Sequence, residues 1–186
     1  MHERSLLEWV ALVSRSLSEA GVGHALAGGL AVAVWARPRA TVDMDLVVPT
    51  DEESIARARG ALAAAGLIQT RRRKMQFKRL GLLRLAIPPD AERETIAVDL
   101  LLLRPDFAAD VLARAEPRRL AGVEIPVASA EDTVLLKLLR LSDQDRADIK
   151  AIAAETALDG AYLRQWAASL RVLSRLRTVG LRERPR

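Results

Sequence analysis

The sequence predicts an α/β fold, a mixed sheet of mostly short strands with helices packed against one face and a C-terminal helical segment, on three observations. Short apolar runs alternate with segments of helical periodicity along the first half of the chain. Isolated aspartates interrupt two of those apolar runs, at Asp43 and Asp45 and again at Asp99. The last third is helical in pattern, with side chains of the kind that begin helices at Ser129 and Ser142.

Taken in order, residues 6–29 read as a helix, a short turn and a strand from His24 to Ala27. Leu30 to Ala36 form a second helix, which Pro38 forbids from running much further. The glycine pair Gly28 and Gly29 therefore lies where a strand ends and a helix begins. Bare backbone there lets phosphate oxygens approach the amides, and a helix N-terminus adds partial positive charge. Residues 42–48 alternate as a strand, so Asp43 and Asp45 share one face while Met44 and Leu46 turn into the core. Two neighbouring carboxylates repel unless a cation joins them, and a hard divalent ion such as magnesium accepts that oxygen-only setting. Thr50 with Glu53 reads as a capping box for a third helix that Gly66 stops.

Residues 75–89 and 94–103 then read as two strands, the first bent at Gly81, separated by the polar turn Pro88 to Arg93. Asp99 stands alone among Val98, Leu100, Leu101 and Leu102, where an unpartnered charge is costly to bury. Metal coordination offsets that cost, as does a solvated edge or an arginine partner. Ser129 with Asp132 and Ser142 with Asp145 read as two further capping boxes, so two consecutive helices close this region. The expected core includes Trp9, Trp35, Leu46, Val47, Ile96, Leu100, Leu135 and Leu138.

Composition bounds the rest. At 186 residues and 50% hydrophobic content the chain is long enough for a real core, with no long linker or repeat. The reading is one compact unit, a core over residues 1–127 with helices of residues 128–186 packed on it. No apolar run reaches the ~20 residues of a membrane span, Glu3 and Glu8 interrupt any secretory pattern, and cysteine is absent, so a soluble cytoplasmic protein is expected. With His2 and His24 as its two histidines, it lacks material for a histidine zinc site or a Ser-His-Asp triad. The net charge of +5 concentrates in Arg71 to Lys74 and in the C-terminal Arg171, Arg175, Arg177, Arg182 and Arg184. Such clusters suit a phosphate backbone, whereas 3% aromatics argue against base-stacking platforms.

The order glycine pair, short helix, Asp-x-Asp strand and later strand aspartate resembles the signature of the DNA polymerase beta-like nucleotidyltransferases. The tail from Val123 to Glu155 is similar to that of small bacterial members related to type IV toxin enzymes and to antibiotic nucleotidyltransferases. In those, a helix bearing a lysine, here Lys137, precedes one bearing two acids, here Asp145 and Asp148. They usually place a basic residue before the first acid, where this chain has Gln144. The resemblance implies a nucleotidyltransferase fold with Asp43, Asp45 and Asp99 as catalytic metal ligands for two Mg2+ ions, or Mn2+. It also implies a nucleoside triphosphate donor held by Gly28 and Gly29, with Arg39, Thr41 and Lys137 near its phosphates. For Lys137 the other reading is snorkelling to solvent, and for Asp145 and Asp148 capping and bracing are the stronger one. The acceptor expected from the charge is RNA, such as a transfer RNA end, or protein. A non-catalytic, antitoxin-like binding module and an antibiotic nucleotidyltransferase are the alternatives.

Overall fold

Ser5 opens the first helix: its hydroxyl accepts from the Glu8 amide while the Glu8 carboxylate accepts from the Ser5 amide. From there a computed structural model describes residues 5–36, 40–69, 81–89 and 95–181. The elements in chain order are α1 (Leu6–Glu19), β1 (Ala25–Ala27), α2 (Gly28–Trp35), β2 (Met44–Val47), α3 (Glu52–Ala64), β3 (Ile68–Gln69), β4 (Gly81–Ile87) and β5 (Ile96–Leu102). There follow α4 (Pro105–Ala113), β6 (Glu116–Leu120), β7 (Val123–Val127), α5 (Ala130–Arg140), α6 (Asp143–Glu155), α7 (Gly160–Ser169) and α8 (Leu173–Thr178).

The described strands form one mixed sheet in the order β3-β4-β5-β2-β1-β7-β6. β2 runs parallel to β5 and β1 parallel to β7, and the other neighbouring pairs are antiparallel. Because side chains alternate along each strand, the sheet feeds two cores. Leu26, Met44, Leu46, Val98 and Leu100 pack with Val13 and Leu17 of α1 and Ala58 and Leu62 of α3. Ala25, Ala27, Val47 and Leu101 pack with Phe107 of α4, Leu135 and Leu138 of α5, Ile149 of α6 and Trp166 of α7. Helices thus cover both faces, where the sequence implied one. Periodicity identifies an amphipathic helix without saying which face of a sheet it meets.

Of the expected core, Leu46, Val47, Leu100, Leu135 and Leu138 are buried, whereas Trp9, Trp35 and Ile96 lie at the margins. Trp35 has a polar errand there: its indole N–H donates to the Ala128 carbonyl, and Arg118 lies over its ring. Gly66, with φ +92°, ends α3 as expected. The cap of that helix differs, since Asp51 rather than Thr50 accepts from the Ser54 amide. An aspartate one residue closer to the helix outcompetes the threonine for the same first-turn donors. Ser142 and Asp145 make the full reciprocal box. At Ser129 only half of it forms, because Asp132 turns away from the backbone toward the hydroxyls of Ser129 and Tyr162. The expected strand residues before Gly81, the Arg71–Lys74 block, His2, Arg182 and Arg184 lie outside the described residues.

Candidate active site

The parallel pairing of β2 with β5 sets Asp45 directly opposite Asp99. Both share the strand parity of Val47 and Leu101, so they stand on the sheet face that α5 and α6 cover. In β4, Arg84 is the register partner of Asp99 and has the parity of Leu82, on that same face. Its guanidinium grips Asp99 with two hydrogen bonds, Nε to Oδ1 at 2.6 Å and Nη2 to Oδ2 at 2.5 Å. Asp99 is buried, while Arg84 keeps about a third of its side chain in water, 32%. An arginine partner, one of the answers open for Asp99, is therefore in place.

Asp45 has a different setting. No hydrogen bond or ion pair reaches its carboxylate from the described residues, and burial, then the nearby charges of Asp99 and Asp43, push its pKa up to about 6. Lys137 and Arg140 pull the other way. The carboxylate lies over the bare Cα of Gly28: a Cβ built there would meet Asp45 Oδ2 at 1.7 Å. Gly28 also has φ +61°, a conformation that a side chain strains. It begins α2, whose N-cap residue Ala27 offers no side-chain cap, so the amides of that first turn have no side-chain acceptor at the cap. Gly29 follows, buried in the same turn.

Asp43 precedes β2 and is exposed, and Thr41 donates to its carbonyl oxygen at 3.5 Å. Arg39 lies outside the described residues. Among the described residues no three His, Cys, Asp or Glu side chains are gathered closely enough to hold a metal ion as they stand. The sheet delivers the pair Asp45 and Asp99, with Asp43 at its rim. Such a donor set fits a hard divalent cation, which takes one or two carboxylates and completes its shell with water and phosphate.

On the far side, α5 and α6 supply a second charged group. Lys137 does not snorkel: it is 8% exposed and its Nζ sits 2.8 Å from Asp148 Oδ2 and 3.3 Å from Asp145 Oδ1. Arg140 donates to both oxygens of Asp145 at 2.8 and 2.9 Å, and Ser142 adds its amide and hydroxyl. Burial works against the Asp145 charge, but these donors outweigh it and hold the carboxyl at about 2. Gln144, at the position where a basic residue was expected, donates to Asp148 instead. Asp145 and Asp148 brace the two helices and fix the lysine. Arg84 and Arg140 were not singled out from the sequence. A signal for Arg84 was there, since one cation in an apolar strand requires an anion on the neighbouring strand.

Several solved structures share this fold. A nucleotidyltransferase-like antigenic protein from Paracoccidioides brasiliensis matches with a TM-score of 0.58 at 17% identity, over 96% of this chain and 94% of that one. The antibiotic-resistance factor ANT(2'')-Ia matches at 0.58 and 12% identity, over 93% and 94%. The lincosamide antibiotic adenylyltransferase LnuA, solved with lincomycin bound, matches at 0.51 and 14%, over 83% and 100%. No curated protein matches the sequence. The model of the family described as nucleotidyl transferase AbiEii toxin, type IV toxin–antitoxin system, matches residues 10–177. With the glycine turn, the paired strand aspartates and the lysine helix all inside that span, the chain belongs to the AbiEii nucleotidyltransferase family.

Proposed function

We propose that this member of the family is a metal-dependent enzyme that moves a nucleoside monophosphate from a nucleoside triphosphate to a hydroxyl of RNA, such as transfer RNA, or of protein. The observation that carries the reading is the placement of Asp45: a carboxylate without a hydrogen-bond or ion-pair partner among the described residues, opposite Asp99 and pressed against the start of α2, which has no side-chain cap. Anionic ligands on one side and helix amides without a side-chain cap on the other make a place where a cation and a phosphate chain meet.

In this reading Asp43, Asp45 and Asp99 hold magnesium, with manganese as a substitute. The bound metal supplies charge neutralisation at the attacking and departing oxygens. Gly28 and Gly29 donate backbone N–H groups to the phosphates, and Thr41 and, by the family resemblance alone, Arg39 are assigned to the same phosphates. Lys137, fixed by Asp145 and Asp148, sets positive potential beside Asp45. The acceptor hydroxyl loses its proton to Asp99 or to water and attacks the α-phosphorus. The bond from that phosphorus to its bridging oxygen breaks, and pyrophosphate leaves. Such chemistry is mostly positioning and charge balance, so each carboxylate matters out of proportion to its size. The basic balance of the chain, +5, favours a polyanionic acceptor. The protein is placed in the cytoplasm on this reading, where such acceptors reside; no helix among the described residues is long and apolar enough to cross a membrane.

The test is incubation with each labelled nucleoside triphosphate, magnesium, and total RNA or lysate. Label on RNA or on protein, lost in Asp43→Ala and Asp45→Ala and on chelation, supports the proposal. The grip of Arg84 on Asp99 favours a second reading, a nucleotide- or protein-binding module without chemistry, and label on neither acceptor selects it.

A further inference from the structure

Arg84 is the unabsorbed group of this site. On the chain's own terms it is a cation already seated on a carboxylate that the proposed function assigns to a metal. Its two short hydrogen bonds occupy both oxygens of Asp99, and its charge is felt at Asp43 and Asp45 as well. It comes from β4, on the other side of β5 from β2, whereas Lys137 and Arg140 come from α5 and are tied to Asp148 and Asp145. The carboxylates at the sheet thus meet protein cations from two elements, Arg84 of β4 at Asp99 and the charges of Lys137 and Arg140 of α5 at Asp45. Lys137 and Arg140 are held by acids of α6, whereas Arg84 is held on Asp99 itself, with a third of its side chain in water.

From this we propose that Arg84 is an exchangeable counter-ion. It neutralises Asp99 while the site is empty of nucleotide, and it passes to the phosphate tail when the triphosphate arrives with its cation. The inference rests on the nucleotidyltransferase reading above. The physical case is one of like charges competing for one ligand. A guanidinium bidentate on Asp99 and a divalent ion on the same oxygens exclude each other. A guanidinium displaced from a carboxylate finds its next planar, bidentate acceptor in a phosphate. The exchange makes metal entry depend on the polyphosphate, which is the only newcomer able to take up the arginine. A metal ion alone pays for the ejection of Arg84, whereas a metal ion arriving with a triphosphate does not.

The test uses the full chain and two probes: Mn2+ alone, followed by electron paramagnetic resonance, and inorganic tripolyphosphate with magnesium, followed by calorimetry. The variants are Arg84→Gln and Arg84→Lys. Removing a charge at ion-pair distance changes the affinity of a carboxylate for a proton by one to three pKa units, so Mn2+ affinity without phosphate is expected to rise by ~10-fold or more in Arg84→Gln. Tripolyphosphate affinity is expected to fall by a similar factor, with Arg84→Lys between variant and wild type on both readings. Opposite signs are the mark of exchange, because structural damage weakens both ligands together. Where Arg84→Gln does not fold, the same two signs are read from Arg84→Lys. Mn2+ binding that is unchanged or weaker in the variants, in a wild type that transfers nucleotides, overturns the exchange and leaves the proposed function standing. A folded wild type and Arg84→Gln that both fail to bind Mn2+ and to transfer nucleotides overturn the proposed function as well.

Discussion

Asp45 and Asp145 lie on opposite sides of the same charged region, and acid acts on them in opposite directions. The folded pKa of Asp145, about 2, is below its ordinary 3.8. Its contribution to stability is therefore complete above about pH 4 and is lost as pH falls toward 2, an amount on the order of 2 kcal/mol. Denaturant midpoints at about pH 5 and about pH 3 should diverge in wild type and converge in Asp145→Asn. The folded pKa of Asp45, about 6, is above 3.8, so its charged form costs stability throughout the range above 6, and the cost is relieved as pH falls from 6 toward 4. Asp45→Asn should stabilise the metal-free protein at pH 7 by on the order of 1 kcal/mol, allowing for partial exposure and screening, while abolishing transfer. Urea melts in a chelator check the first half of that expectation and the labelling assay the second. At this scale the face of Asp45 was legible, because strand alternation turns it away from Met44 and Leu46, whereas Asp43, expected in the same strand, precedes β2 and alternation does not reach it. The pairing of Arg84 with Asp99 was not legible, because it depends on which residue of β4 faces which residue of β5, and strand pattern leaves that register open.

The glycine turn is the element on which the site geometry depends. Gly28→Ala places a methyl carbon inside the Asp45 carboxylate and forces a left-handed backbone on a residue with a side chain. The expected outcome is loss of transfer together with destabilisation of about 1–3 kcal/mol, measured by activity and by thermal melting. An active Gly28→Ala would show that Asp45 has no fixed place against α2. Strand, glycine and helix were all readable here, since β1, the pair and the Pro38 limit follow one another within a few residues. The starts of α3, α5 and α6 were readable to within a residue, while α2 begins at Gly28, two residues before the expected Leu30. Ser142 has its box, Ser129 half of one, and at α3 the cap moved to Asp51 because two adjacent polar side chains compete for the same amides. What pattern could not give was that Lys137 would be clamped: two acids a turn apart on α6 reach it only because the left-handed Leu141 folds α6 back along α5.

Across the whole molecule the sheet separates two cores of unequal chemical consequence. Leu17→Ala, in the core under α1, and Leu135→Ala, beneath the lysine helix, should each cost about 2–5 kcal/mol in urea unfolding. Leu135→Ala should in addition lower transfer in the protein that remains folded, since α5 carries Lys137 and Arg140; equal specific activities in the two variants would contradict that. The fold class was legible from the alternation of extended and helical runs, and the helix cover of both faces was not, because a single chain's periodicity carries no sidedness. The strand order has one more consequence, for a chain still being made. Asp45 emerges from the ribosome with its strand, but its opposite number Asp99 follows 54 positions later, and β1, an interior strand of the sheet, finds its second neighbour only at Val127. Synthesis from the N-terminus therefore withholds the assembled carboxylate pair until most of the polypeptide exists, and withholds the lysine clamp until Asp148 is out. A nascent fragment that stops short of Asp148 carries Asp45 and Asp99 without the lysine clamp, so on the proposed function transfer is expected to switch on only once that residue has been made.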